Sequence, residues 1–190
     1  MEPETLLQTG SLGRYLSNVR DAWGDGTDRD LPFKVQALMR EFLTGTRRDE
    51  PWMAEMIAEG NIAKELYRDV DHGFIQMGHV QPQGHINPPH DHGPCWVVYG
   101  AYSGRTEIVV YAHRGTDSTT GKALLEKRDV HYLEPGVVYP YVPGDIHSVV
   151  VLEGPAIIFR FLSRDLTQVK RAYYDFERDA TLVEPAAASA

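Results

Sequence analysis

From about residue 70 onward, Gly, Pro and Asp cut the chain into short apolar runs, and this punctuation limits what it can fold into. The runs are Phe74–Val80, Cys95–Tyr102, Thr106–Ala112, Val130–Leu133, Val137–Val142, His147–Leu152, Ala156–Leu162 and Arg171–Phe176. Their length and regular spacing predict a closed or two-sheet β architecture rather than alternating βαβ units. The stretch RGTDSTTGK (residues 114–122) reads as an exposed hairpin loop. Before residue 70 the apolar period is helical. Leu12, Tyr15, Leu16 and Val19 form one stripe, and Phe33, Val35, Leu38, Met39, Phe42 and Leu43 a second. Pro32 suits a helix first turn and Gly45 a helix end. A third helix is expected over Pro51–Glu59 and a fourth turn over Ile62–Leu66. The expected organisation is therefore a helical segment at 1–66, a β barrel at 67–178 and a disordered tail at 179–190 that ends in PAAASA.

At 190 residues this is one domain's worth of chain, with an ordinary globular composition. The net charge is −8, and Lys and Arg cluster only in short pairs such as Arg47-Arg48. That argues against nucleic acid or an anionic membrane as partner. The single cysteine, Cys95, permits no internal disulfide and suits a reducing compartment. MEPETLLQTG has neither the basic start nor the apolar core of a secretory signal, and no stretch approaches the ~20 apolar residues of a membrane span. The expected location is the cytoplasm. Oligomeric state is left open.

The chemistry concentrates in PPHDHGPC, residues 88–95. Alternation along a strand turns His90 and His92 to one side and Asp91 to the other, so two imidazoles can grip one ion. His147, in Val142-Pro143-Gly144-Asp145-Ile146-His147, follows a Pro-Gly turn at the start of another β run and can supply a third. GHINPPHDHGPCWVVYGAYSG (Gly84–Gly104) resembles the first motif of the cupin superfamily, and GVVYPYVPGDIH (Gly136–His147) resembles the second. The resemblance implies a double-stranded β-helix, or jelly-roll barrel, with the N-terminal helices beside it. Most cupins place a glutamate ligand four or five positions after the histidine pair. Trp96 and Val97 stand there, which leaves three histidines.

That variation is similar to the thiol dioxygenases, the group of cysteine dioxygenase and 3-mercaptopropionate dioxygenase, over about residues 30 to 175. It implies Fe(II) held by His90, His92 and His147, with O2 and a small thiol as substrates and a sulfinate as product. Three neutral imidazoles suit Fe(II) and leave positions open, and a thiol bound to a metal is deprotonated. Zinc fits the same ligands. The relatives carry Ser-x-His-x-Tyr on a late strand, where Ile158, Arg160 and Leu162 fall in this chain. Position 97, where the relatives have a cysteine linked to that tyrosine, is Val97. Arg160 lies in the apolar strand Ala156–Leu162, so it either pairs with a carboxylate such as Glu107 or Glu153 or faces the pocket and holds an anionic substrate. Arg68 is a second candidate, because an arginine entering the barrel near this point binds the substrate carboxylate in the relatives. His79, Trp96, Ile158 and Leu162 are candidate pocket residues; His85, His113 and His131 read as structural or solvated, and His72 sits in a turn. Two other functions fit the same ligands: a three-histidine oxygenase or isomerase of a non-thiol substrate, and a non-catalytic domain that binds a metal or small molecule.

Overall fold

A computed structural model describes residues 10–183. Three helices lead: α1 (Gly10–Trp23), α2 (Leu31–Gly45) and α3 (Pro51–Glu59). Proline opens α2 and α3, where no intrahelical amide donor is lost. Eight strands complete the order: β1 (Lys64–Arg68), β2 (Ile75–Gln81), β3 (Ile86–His90), β4 (Val97–Thr116), β5 (Ala123–Leu133), β6 (Val138–Tyr141), β7 (Ile146–Leu162) and β8 (Ala180–Val183).

The fold is a jelly-roll barrel built on two long, bent strands. The late half of β7 pairs with β2 and with the early half of β4, which β6 and β1 extend on either side. The early half of β7 pairs with β3 and with the late half of β4, and β5 and β8 extend this second sheet. Four of the short runs therefore merge into two strands. Residues 103–105 and 153–155 stay extended and bend instead of turning back, and register shifts around Ser103 and Arg105 absorb the bend.

Alternation divides the first sheet into two buried faces. Ala156, Ile158 and Leu162 point into the barrel with Val97, Tyr99, Ala101 and Ile75. Ile157, Phe159, Phe161 and Val98 point outward into a core shared with Leu12, Leu16, Val35, Met39 and Met53 of the helices. A strand buried on both faces reads as a continuous apolar run, and Ala156–Leu162 does. Close docking of the helices requires glycine on the sheet. A Cβ at Gly78 would come within 2.3 Å of Met56 Sδ, and one at Gly100 within 2.7 Å of Leu43 Cδ1. An ion pair from Arg20 of α1 to the buried Asp69 fixes the other end, where Tyr67 Oη also donates to Asp69 at 2.9 Å.

Three expectations are corrected. The turn at Ile62–Leu66 gives way to β1 from Lys64, because β2 needs an edge partner and that pairing overrides local helix propensity. Arg171–Phe176 forms no strand; only Tyr173 makes an isolated bridge, to His90. Part of the expected tail, Ala180–Val183, pairs in parallel with β5, and residues 184–190 lie outside the described residues.

Gly100→Val should cost about 1–3 kcal/mol by overpacking and lower the midpoint of a thermal melt by several degrees. Gly45→Ala, at a helical position with nothing within 4 Å, should leave the melt unchanged or raise it slightly.

Candidate metal centre and its cavity

The last residue of β3, His90, stands directly across the ladder from His147 near the start of β7. His92 reaches the same place from the turn after β3. Ring centres lie 5.1 Å apart for His90 and His92, 4.9 Å for His90 and His147, and 5.0 Å for His92 and His147. Each residue offers a ring nitrogen within 4.8 Å of the other two, and all three are buried. Between them, Asp91 turns away to tie down the C-terminal segment. Its carboxylate accepts from the amides of Gly93 (2.9 Å) and Ala172 (3.0 Å), while its own amide donates to the Ala172 carbonyl. Gly93 has φ +58°, and a Cβ there would come within 2.3 Å of the Lys170 carbonyl oxygen, so this turn requires glycine.

The electrostatics make the triad a set of lone pairs. Burial lowers all three imidazole pKa values, His92 to about 2; Arg160 adds to the effect at each, and neighbouring histidines add to it at His92 and His147. Each ring is therefore neutral at physiological pH. His90 Nδ1 is 2.8 Å from the Pro88 carbonyl, which can only accept, so its Nε2 carries the lone pair. His92 Nε2 and both ring nitrogens of His147 are buried without a hydrogen-bond partner. Unpaired buried nitrogens are costly, and a cation shared by the three neutral imidazoles would satisfy one nitrogen of each ring. Tyr141 leans on His147 with ring centres 4.3 Å apart, and its hydroxyl lies 3.1 Å from His131 Nδ1.

Beside the triad lies a cavity of about 210 Å³ whose wall includes His79, Gln81, Tyr99, Thr106, Ile158 and Arg160. Tyr99 joins the two: its ring centre is 5.5 Å from that of His147, and its hydroxyl is 3.5 Å from Arg160 Nη1. Among the described residues no carboxylate pairs with Arg160, neither Glu107 nor Glu153, and its Nε is buried without a partner.

The other candidates divide. His79 and Ile158 are wall residues. Leu162 is packed in the barrel core between Ile75 and Val97, away from that wall. Trp96 is corrected: Val97 faces inward, so Trp96 turns outward and stacks on Phe161 with ring centres 5.3 Å apart. Arg68 is corrected as well. It lies on the exposed side of edge strand β1, its guanidinium forked between Glu65 (2.7 Å) and Asp165 (2.8 Å). His85, expected to be structural or solvated, lines the cavity, and so do Gln81 and Thr106, which no motif marks. Gln81 is open to detection in the sequence, because it continues the His79 face of β2 at a spacing of two; Thr106 lies beyond register shifts and gives no such signal.

No family model matches this chain, and no curated protein does. Among solved structures it is similar to KdgF from Halomonas sp., with 15% identity and a TM-score of 0.41 over 53% of this chain and 76% of that one. The Cnp3 cupin domain of Schizosaccharomyces pombe aligns at 13% identity and TM-score 0.42, over 56% of this chain and 62% of that one. The DMSP lyase DddQ of Ruegeria pomeroyi DSS-3 aligns at 15% and 0.43, over 60% and 51%. The chain thus spans less than two thirds of the latter two.

His147→Ala should reduce metal content from about one ion per chain to a small fraction of that, measured by elemental analysis of protein purified without chelator. His113→Ala, at an exposed histidine, should retain the full content.

Proposed function

We propose that the chain is a metal-dependent enzyme that oxidises a small anionic thiol to its sulfinate with O2, using Fe(II) held by His90, His92 and His147. One observation carries the reading. Apart from Tyr15 Oη and Gln76 Oε1, every buried side-chain nitrogen or oxygen without a partner belongs to the triad or to the wall of the adjoining cavity, among the described residues. Native interiors satisfy such atoms, so a concentration of unsatisfied ones beside a cavity marks where a metal and a ligand belong.

Fe(II) bound there supplies acidification of a coordinated thiol and electrons for reduction of O2. The remaining work falls to the chain. His90, His92 and His147 would hold the metal and, as only three ligands, would leave coordination positions for substrate. Arg160 takes the substrate carboxylate on its planar fork, which fixes the distance between the anion and the sulfur. Tyr99 fills the gap between Arg160 and His147 and presents a hydroxyl to the bound molecule. Ile108, Leu133, Val149 and Ile158 supply the apolar part of the wall, beside the polar His79, Gln81, His85, Asn87 and Thr106. Both atoms of O2 end on the thiolate sulfur, giving a sulfinate with no other reductant.

A second reading rests on the inward positions of late β7. Ile158, Arg160 and Leu162 offer no group that exchanges protons near neutral pH, which favours oxygenation or isomerisation of an anion without a thiol.

Oxygen consumption by the iron-loaded protein with a panel of thiols separates the two. Carboxylate-bearing thiols should drive uptake and neutral thiols should not. Arg160→Met should lower kcat/KM for the anionic substrate about 30-fold to several thousand-fold, as loss of a desolvated charge pair implies. Because no carboxylate pairs with Arg160, the same variant should melt at or above the wild-type temperature. Equal losses for neutral and anionic thiols would remove the anion-binding role. Absence of uptake with every thiol would favour the second reading.

A further inference from the structure

The cavity wall carries one permanent cation and, beside it, acceptors. His79 stands on β2 one diagonal step from Arg160, since Met77 faces Arg160 and His79 faces Ile158 across the β2–β7 ladder. Its Nδ1 lies 2.7 Å from the Ile62 carbonyl, so the ring N–H is already committed. The remaining ring nitrogen, Nε2, is an acceptor; it is buried and unpartnered, as is Gln81 Oε1 two residues along the same strand face. Burial, reinforced by Arg160, lowers the His79 pKa to about 3, which keeps the ring an acceptor across the physiological range. The wall includes no aspartate or glutamate.

These features define a ligand more narrowly than an anion. A group that satisfies His79 Nε2 and Gln81 Oε1 must donate a hydrogen bond. An ammonium would donate too, but it would lie beside Arg160 with no carboxylate in the wall to balance it, and a cation buried without a counter-charge is strongly disfavoured. We propose that the cavity selects an acid bearing a neutral hydroxyl or amide donor next to its carboxylate, with His79 and Gln81 as specificity-determining acceptors, and that it rejects amino acids. This rests on the reading that Arg160 receives the carboxylate, and it is independent of whether the reactive group is a thiol.

Thiol-free acids test it. Propionate, lactate and alanine share one skeleton and differ at C2 by hydrogen, hydroxyl and ammonium. Their dissociation constants are measured by NMR titration of the full chain loaded with redox-silent Zn(II). Lactate should bind about two- to tenfold more tightly than propionate, the worth of one net hydrogen bond. Alanine should bind about tenfold or more weakly than propionate. His79→Leu should erase the lactate advantage while leaving propionate within about twofold of wild type. If that variant fails to fold in a circular-dichroism melt, Gln81→Leu, expected to halve the advantage or more, and the wild-type ranking decide. Alanine binding as tightly as lactate, or a lactate advantage that survives both substitutions, overturns the proposal while leaving the anion site intact. Failure of all three acids to bind overturns the Arg160 reading and this inference with it.

Discussion

Strand β7 exchanges backbone hydrogen bonds with β2, β3 and β4, and its register settles both the core and the site. Its early half sets His147 opposite His90. Its late half sends Ile158 and Arg160 into the barrel and Ile157, Phe159 and Phe161 into the helical layer. Because successive side chains take opposite faces, a slip of one residue would put a guanidinium among Met39, Phe42 and Trp23 and phenyl rings in the cavity. Burial of both faces makes such a slip prohibitively costly. The helices thus do more than cover a sheet. By occupying the outer face they hold the inner one in place.

Within that frame the site is a cation beside neutral donors and acceptors. Arg160 contributes to lowering the pKa values of His79, His90, His92 and His147, although burial is the largest cause for each. Burial and the guanidinium act in the same direction, so the imidazoles keep their lone pairs even as the medium acidifies. A carboxylate near Arg160 would neutralise it and raise these values again. Its absence keeps the cavity positive and leaves the ring nitrogens available.

Much of this was legible in the sequence, where local pattern and face assignment coincide. Strand alternation points to the pair His90 and His92, although β3 ends at His90 and His92 follows from the turn, and His147 needs only the Pro-Gly turn before it. Arg160 stood out because a cation in Ala156–Leu162 contradicts its neighbours. The failures came where faces or partners are set at a distance. Trp96 looks like a pocket aromatic until the parity of Val97 turns it outward. Arg68 looks like a ligand for the substrate carboxylate until Glu65 and Asp165, the latter nearly a hundred residues later, hold it at the surface. The bends in β4 and β7 were invisible because Gly and Pro mark a strand that curves as well as one that ends. The Ala180–Val183 strand is four residues long and adjoins the alanine-rich PAAASA, so composition hid it.

The Asp91 anchor has a topological consequence. Its carboxylate meets the Ala172 amide 81 positions along the chain, and the residues flanking it are two of the three imidazoles. The contact closes a large loop, and the entropy of closure rises only slowly with loop length, so most of its cost is incurred once. Whatever rigidifies the histidine turn therefore also restrains the segment through Tyr173 and Tyr174, which leads on to β8. Occupancy at the triad and order near the far end of the polypeptide are thermodynamically linked, so each can be read through the other by hydrogen exchange at the backbone amides of that segment.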